Sequence, residues 1–368
     1  MKGRNVFAKL ILLPCSKVYG AVTYVRNKLF DYKILQEKEF DVPIISVGNI
    51  AVGGTGKTPL VEYIVDYFSR TMKVAILSRG YRRDTKGFII AGKTSMPRDI
   101  GDESYQIYHK FHGKVIVAVC EDRVKGISEL LRLEPGIELI VLDDAFQHRY
   151  VKPTISIVVS EYHRPIYADH MLPYGRLREP RRGINRADVL VVGKCPPNMK
   201  PYDFRQVIND YGLQPYQKLF FSHFDYQPIQ PVFNDSVSTV PYIDWLNQGD
   251  TILAIAGIGN PRPFVKYIKS FQAKVKVDIF PDHHQYTKKD IEYILQRYRQ
   301  LKGKQRIIIT TEKDAVRLAA NPYFPHELKP YTFFLPVKVK FNDREDNLEF
   351  LPSIEKLIKE RARQKTEQ

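Results

Sequence analysis

Cysteine is scarce in this chain, and the three that it contains, Cys15, Cys120 and Cys195, lie far apart. There is no CxxC pair and the count is odd. These features exclude a disulfide framework and a cysteine-based zinc cluster, because both need closely matched cysteines. Internal repeats and low-complexity tracts are also absent. The sequence therefore favours a globular protein of a reducing compartment.

Acidic residues are fewer than basic ones. The sequence has 57 Lys and Arg against 41 Asp and Glu, which gives a net charge of +16. Such a surplus favours polyanionic partners: nucleic acid, an anionic membrane surface or a phosphorylated substrate. The basic residues are dispersed, and no arrangement of them with aromatic residues forms a recognisable nucleic-acid module. We therefore expect no nucleic-acid partner.

Long uncharged runs are missing even from the most apolar segment, residues 6–30. Lys9, Lys17 and Arg26 leave uncharged runs far shorter than the roughly 20 residues that span a bilayer. No small-residue cleavage site marks a signal peptide. The pattern predicts a basic amphipathic helix, kinked near Pro14, that lies in the headgroup region of a membrane; packing on the protein's own core is the alternative. The apolar residues that share one face of this helix are Phe7, Leu10, Ile11, Val18, Val22, Val25 and Leu29.

The strongest motif is PIISVGNIAVGGTGKTPLVEYIV, residues 43–65, in which a β-branched strand leads into a glycine-rich loop and an apolar helix. This is the P-loop pattern, with Ala51 in place of the usual first glycine. The loop backbone approaches phosphates, Lys57 reaches the β- and γ-phosphates, and the Thr58 hydroxyl ligates Mg²⁺. The residues expected to bind Mg-ATP are Ala51, Val52, Gly53, Gly54, Thr55, Gly56, Lys57 and Thr58.

A second motif supports the first. The apolar run Glu138 to Leu142 ends in Asp143 and Asp144, which is the form of a Walker B strand. Carboxylates at the carboxyl end of such a strand hold the Mg²⁺ shell of a bound nucleotide. Spacing does not decide which of the two aspartates touches the metal directly.

From residue 43 onward, short β-branched runs alternate with helical stretches, which predicts an α/β fold with a parallel sheet covered by helices on both faces. Predicted strands of the first block are Ile44–Val47, Val74–Leu77, Val115–Val119, Leu139–Leu142, Ile155–Val159 and Val189–Val192. Those of a second block are Ile252–Ala256, Val275–Ile279, Ile307–Thr310 and Phe333–Val337. We expect a P-loop NTPase-type sheet and a second, smaller α/β domain.

The stretch 196–250 is rich in Pro, Tyr, Asn and Gln, which favours a domain junction there. We therefore expect three parts. Residues 1–30 form the membrane-associated helix, residues 31–220 the P-loop kinase domain, and residues 221–368 a C-terminal α/β domain that closes over the site.

Three polar motifs have structural explanations as good as functional ones on spacing alone. Asp102 opens a helix, where the helix dipole favours an acid. The pair His283 and His284 is typical of a surface turn. Thr311 is placed to cap a helix by accepting from the Asp314 backbone N–H.

Together, eight short motifs in one order resemble the tetraacyldisaccharide 4'-kinases, over most of the chain. Ala145 and Ser104 depart from the family's usual glycine and proline. The motifs are GNIAVGGTGKTP (48–59), SRGY (78–81), GDE (101–103), DDAFQHR (143–149), LPYGRLREP (172–180), AGIGNP (256–261), FPDHHQYT (280–287) and TEKDAV (311–316).

The resemblance implies that the γ-phosphate of ATP is transferred to the 4'-hydroxyl of a tetraacyldisaccharide 1-phosphate, giving the lipid A precursor lipid IVA. It implies that Asp102 is the base, assisted by His283, in a cleft between two α/β/α domains. Lys57 is the expected catalytic cation. The Mg²⁺ site then comprises Thr58, Asp143 and Asp144. Residues near the reacting phosphates are His148, Arg178 and Glu179.

A lipid substrate of this kind implies a location at the cytoplasmic face of the inner membrane of a Gram-negative bacterium, as a peripheral or monotopic protein. The alternative is a P-loop ATPase or GTPase that acts on another anionic or nucleic-acid partner. Guanine selection usually involves [NT]KxD, and this spacing is not met where Lys313 directly precedes Asp314.

Overall fold

A computed structural model describes residues 6–233, 236, 246–342 and 349–366. The strands in the described part are β1 (Ile44–Gly48), β2 (Val74–Ser78), β3 (Ile89–Ile90), β4 (Ile116–Val119), β5 (Leu139–Asp143), β6 (Ile155–Glu161), β7 (Val189–Gly193), β8 (Lys218–Tyr226), β9 (Gln230–Pro231), β10 (Thr251–Ala256), β11 (Lys274–Ile279), β12 (Arg306–Thr311), β13 (Thr332–Leu335) and β14 (Val337–Phe341). The helices are α1 (Val6–Asp31), α2 (Lys57–Phe68), α3 (Pro97–Ile100), α4 (Asp102–Phe111), α5 (Arg123–Leu133), α6 (Pro201–Tyr211), α7 (Arg262–Ile268), α8 (Lys288–Arg299), α9 (Glu312–Ala319) and α10 (Phe350–Thr366).

The larger sheet runs in the order β14-β8-β7-β6-β1-β5-β2-β4-β3. Its strands are parallel except at the two edges, where β14 and β3 are antiparallel to their neighbours. The central strands β1 and β5 are fully buried, as expected when helices cover both faces of a parallel sheet. Their register pairs Val47 with Asp143, so the phosphate-loop strand and the Walker B strand end side by side.

The smaller sheet runs in the order β11-β10-β12-β13-β9, parallel except for β9. Strand β10, between β11 and β12, is fully buried. Helix α4, which packs on the larger sheet, contacts helix α9, which packs on the smaller one. The two sheets therefore approach each other next to the carboxyl ends of their strands. This edge is where ligands bind in open α/β sheets.

The predicted boundary at residue 220 does not match the sheets. It falls inside β8, and the chain returns to the larger sheet at β14. Phe350, Ile354 and Ile358 of α10 then pack into the core that contains β1. The smaller sheet is therefore an insertion between β8 and β14. The predicted strand Phe333–Val337 is likewise two strands, because Pro336 has no N–H to continue the ladder.

Candidate active site

The phosphate loop joins β1 to α2. Gly53 and Gly56 have φ of 115° and 94°, which favour glycine, so the loop turns where a side chain would strain it. The loop is fixed from outside: the Val52 N–H donates to the Arg176 carbonyl at 2.8 Å, and the Arg178 N–H donates to the Ile50 carbonyl at 2.7 Å. The expected phosphate cradle is thus braced by the segment that carries Arg178.

Lys57, Asp144 and Arg178 meet beside this loop. Lys57 Nζ lies 3.3 Å from Asp144 Oδ1, and Arg178 Nη1 donates to both Asp144 oxygens at 3.0 and 3.1 Å. Burial acts to raise the pKa of Asp144, but Lys57 and Arg178 outweigh it and hold that pKa below its usual value. Two cations next to a phosphate loop supply the positive charge that a triphosphate needs.

Asp143 ends β5 and is buried. Its Oδ1 has no hydrogen-bond partner among the described residues, and burial, with the Asp144 charge, raises the pKa of Asp143 to about 7. An unpaired buried carboxylate oxygen fits a cation. Thr58 lies in the first turn of the neighbouring helix α2 and offers a hydroxyl. Oxygen donors of this kind, with phosphate oxygens, are what Mg²⁺ takes in nucleotide sites.

Asp102 and His283 come together from the two sheets. Asp102 opens α4, and its Oδ2 lies 3.9 Å from His283 Nδ1. His283 has φ of 58°, unusual for a side chain larger than glycine. The His283 backbone N–H donates to the Gly257 carbonyl at 3.2 Å, and the His283 backbone carbonyl accepts from the Arg82 guanidinium at 2.9 Å. Contacts from the parts of the chain that carry each of the two sheets therefore hold this conformation. Strained backbone of this kind clusters at functional sites.

Two further ion pairs connect α4 with α9. Lys313 Nζ lies 2.7 Å from Glu103 Oε1 and 3.2 Å from His283 Nε2. At the other end of α4, Lys110 Nζ lies 2.9 Å from Glu312 Oε1. Both ends of α4 are therefore tied to the first turn of α9, and this side of the site is built from elements of both sheets.

Glu179 and His148 occupy different surroundings. The buried Glu179 carboxylate accepts from Asn27, Gln147 and Arg186 at 3.3, 3.0 and 2.7 Å. His148 Nε2 accepts from the Arg123 N–H at 3.3 Å, and burial, together with the Arg123 charge, lowers the pKa of His148 to about 4. Their assignment to the reacting phosphates stays a prediction.

Sequence reasoning missed two basic residues of the site. Lys194 Nζ donates to the Gly54 carbonyl of the phosphate loop and lies 3.3 Å from Glu161 Oε1, which also accepts from Asn260 of the smaller sheet at 3.3 Å. Arg317 binds Asp102 from α9. The signal for Lys194 was its place directly after a buried strand, at the edge where β1 and β5 end.

The strand, glycine loop and helix, with a lysine and paired aspartates at the neighbouring strand end, define a P-loop nucleoside-triphosphate-binding protein. Comparison with known proteins narrows the class. The family model of the tetraacyldisaccharide-1-P 4'-kinases (LpxK) matches residues 8–355. The chain belongs to this family, and it is a kinase.

Individual relatives agree. The chain is 45% identical over 337 residues to a tetraacyldisaccharide 4'-kinase of Bacteroides thetaiotaomicron, covering 89% of this chain and 88% of that one. It is 39% identical to the enzyme of that name from Flavobacterium johnsoniae, covering 95% and 97%. The crystal structure of LpxK from Aquifex aeolicus in complex with ATP superposes with a TM-score of 0.70 at 30% identity, covering 95% and 98%. The expected family and fold are confirmed.

Proposed function

We propose that this chain transfers the γ-phosphoryl group of ATP to the 4'-hydroxyl of a tetraacyldisaccharide 1-phosphate, with Asp102 as the base, giving lipid IVA. The observation that carries the proposal is that Asp102 and His283 come together, on the same side of the structure as the phosphate loop. The hydroxyl oxygen forms its bond to the γ-phosphorus as the bond from phosphorus to the bridging β-phosphate oxygen breaks. The hydroxyl proton passes to the Asp102 carboxylate, and His283 orients that carboxylate.

The phosphate end has a separate task. The loop residues Ala51–Thr58 surround the phosphates, and Lys57 and Arg178 neutralise the charge that moves onto the leaving ADP. Thr58, Asp143 and Asp144 are the residues that would hold Mg²⁺, and the ion would supply positive charge to the phosphates. Lys57 then leaves Asp144 for the phosphates, since a triphosphate offers more negative charge than one carboxylate.

The test is ATP-dependent phosphorylation of tetraacyldisaccharide 1-phosphate in detergent micelles, with Asp102→Asn beside the wild type. The substitution removes the base, and we expect kcat to fall about 10²- to 10⁴-fold while the affinity for ATP is unchanged. Asp66→Asn is the matched control, because Asp66 is an exposed aspartate of a surface ion pair. A fully active Asp102→Asn enzyme would overturn the role, and no 4'-phosphorylated product from the wild type would overturn the acceptor.

Helix α1 supports a second part of the proposal, attachment to the membrane surface. One face docks on the site: Ser16 Oγ donates to the Met171 carbonyl at 3.0 Å and Tyr19 Oη donates to the Arg178 carbonyl at 2.9 Å. The opposite face is uncovered. Leu29 of the predicted stripe is half-buried, and the side chain of Phe7 lies outside the described part. The more than half-exposed residues are Leu10, Ile11, Val18, Val22 and Val25.

No helix in the described part of the chain is long and apolar enough to cross a membrane. An exposed apolar stripe on a helix with basic flanks instead suits a position in the plane of the headgroups. We infer that α1 holds the enzyme on the cytoplasmic face of the inner membrane, where an acylated acceptor presents its sugar. The docking of α1 next to Arg178 then places the phosphate loop near that surface.

Cys15 is a natural reporter for this arrangement, because it is exposed on α1 whereas Cys120 and Cys195 are buried. An environment-sensitive fluorophore on Cys15 is expected to shift to the blue with phosphatidylglycerol-containing vesicles. The double substitution Val18→Ser and Val22→Ser is expected to weaken vesicle binding at least about tenfold, by loss of two apolar contacts. Leu133→Ser, at an exposed leucine of α5, is the control. An unshifted probe on a vesicle-bound enzyme would contradict the model.

A further inference from the structure

Arg317 lies at the centre of the acceptor side of the site. It extends from α9, and its side chain is 2% exposed. Its Nε donates to Asp102 Oδ2 at 2.8 Å, and its Nη2 lies 2.7 Å from the same oxygen. The two nitrogens of one guanidinium therefore hold one oxygen of the proposed base, across the boundary between the two sheets.

The other side of the guanidinium is anchored within the smaller sheet. Arg317 Nη1 donates to Asp314 Oδ1 at 2.9 Å and to the Gly257 carbonyl at 3.2 Å. Asp314 is fully buried, and its Oδ2 accepts from the Gly257 N–H at 2.8 Å and from Thr311 Oγ1 at 2.7 Å. Because Asp314 is itself fixed, the arginine has little freedom to rotate.

These contacts separate Arg317 from an arginine that binds phosphate. A phosphate-binding arginine has N–H groups free to reach the ligand, whereas each nitrogen of Arg317 already has a partner. Turning it toward a nucleotide would leave two buried carboxylates without their cation, which is strongly unfavourable. Arg317 is therefore built to act on Asp102.

We propose that Arg317 is a positioning residue for the phosphoryl transfer, one that fixes Asp102 Oδ2 so that Oδ1 faces the acceptor hydroxyl. The contacts that the structure describes for the Asp102 carboxylate, from Arg317 and from His283 Nδ1 at 3.9 Å, are all made to Oδ2. This inference rests on the proposed role of Asp102 as the base. Asp314 serves the same end indirectly, by holding Arg317.

The charges around Asp102 support this assignment. Arg317 and Lys313 face it from α9, His283 faces it from the loop after β11, and Glu103 follows it on α4. Burial acts to raise the pKa of Asp102, and His283, Arg317 and Lys313 outweigh burial and lower that pKa. Loss of Arg317 therefore raises the pKa of Asp102 toward and beyond its ordinary value, so the base is protonated over a wider acidic range.

The experiment measures kcat and the pH profile of lipid phosphorylation for Arg317→Met and Arg317→Lys. For Arg317→Met we expect kcat to fall about 10- to 100-fold at pH 7 and the acidic limb to move to higher pH by about one unit or more. The KM for ATP is expected to change less than about twofold. Arg317→Lys restores the charge without the two-nitrogen contact, so its limb is expected near the wild-type position with kcat still reduced.

Arg297→Met is the matched control, since Arg297 pairs with Asp278 in the smaller sheet away from α4. If Arg317→Met does not fold, Arg317→Lys and the rescue of Arg317→Ala by added guanidinium carry the test. Guanidinium-dependent recovery in Arg317→Ala but not in Arg297→Ala supports positioning. If the acidic limb does not move and kcat per folded enzyme equals the wild-type value, while Asp102→Asn is inactive, the positioning role of Arg317 is wrong. An active Asp102→Asn enzyme would instead overturn the proposed base.

Discussion

The phosphate end and the acceptor end of the site are both held by ion pairs, but the two sets differ in their access to water. At the phosphate end, the side chains of Lys57, Asp144 and Arg178 are 13%, 35% and 27% exposed. At the acceptor end, those of Asp102 and Arg317 are 7% and 2% exposed. The side chains of the first set are partly exposed to water, and those of the second are buried.

The difference matters because an exposed ion pair contributes little to stability and exchanges partners readily. When a buried ion pair loses one partner, by contrast, the folded protein is strongly destabilised. We propose that Asp144 is a temporary partner for Lys57, released when a triphosphate binds. The pair of Asp102 and Arg317 is permanent. On this proposal the nucleotide is bound by groups that move, and the acceptor hydroxyl meets groups already in place.

After that of Asp102→Asn, the largest effect is expected at Lys57. Lys57→Ala removes the cation that follows the transferred phosphoryl group, and we expect kcat/KM for ATP to fall about 10²- to 10³-fold. Arg178 still pairs with Asp144, so the melting temperature is expected to stay within a few degrees of the wild type. Steady-state kinetics and thermal melting give both numbers. If activity were lost only because the variant unfolds, Lys57 would belong to the structural ion pairs, and the proposed difference between the two ends of the site would be wrong.

A smaller effect is expected at His283. His283→Gln removes the ring that approaches Asp102 and contacts Lys313 but keeps a polar side chain, and we expect kcat to fall about 10- to 100-fold. The KM for ATP is expected to be unchanged, because His283 is on the acceptor side. His284→Gln is the neighbouring control, since His284 bonds Asp290 instead. A raised KM for ATP with normal kcat would move His283 to the phosphate end.

The sequence predicted the phosphate end better than the acceptor end, for a physical reason. A phosphate loop is local, because its strand, its glycines, Lys57 and Thr58 follow one another in the sequence. Asp143 ends the strand that pairs with the strand before the loop. Asp102 and His283 were named only through the family resemblance. Arg317 was not named at all, because its partner is 215 residues away in sequence and only tertiary packing brings the two together.

The same reasoning explains why the boundary predicted at residue 220 differs from the sheet order. Strand β8 is half-exposed over several of its residues and carries polar side chains, so the pattern of a buried strand is missing. Without β8, the return of the chain at β14 is not visible either, since β14 exists only by pairing with it. The buried parallel strands β1, β5 and β10 were found because burial on both faces makes them continuously apolar.

An intermediate test concerns Lys194, which touches the phosphate loop and whose side chain is 10% exposed. Lys194→Met removes the support of the Gly54 carbonyl and leaves Glu161 to Arg176 and Asn260. We expect the KM for ATP to rise about 3- to 10-fold, the size of one or two lost hydrogen bonds, with a smaller change in kcat. Lys200→Met, outside this network, is the control. An unchanged KM would show that the loop holds its shape without Lys194.

The smallest effect is expected at His148, and it concerns stability. The pKa of His148 is lowered to about 4 by burial and by Arg123, against an ordinary value of 6.5. Between those two values the unfolded chain binds a proton that the native protein does not, so the stability of the native protein falls as the pH falls. His148→Gln removes this pH-dependent contribution to the free energy of unfolding. The loss of melting temperature between pH 7 and pH 5 should therefore be smaller in the variant.

The expected difference is about 1 kcal/mol, well below the full linkage value, because the partly exposed ring is screened by water. It corresponds to roughly 2 °C in the melting temperature. His326→Gln, at an exposed histidine, is the control. The activity of His148→Gln near pH 7, where the ring is already neutral, tests the predicted place of His148 near the reacting phosphates; a change of less than about twofold would contradict it. A large loss of activity would instead show that His148 contacts the nucleotide, and would add a fixed residue to the phosphate end.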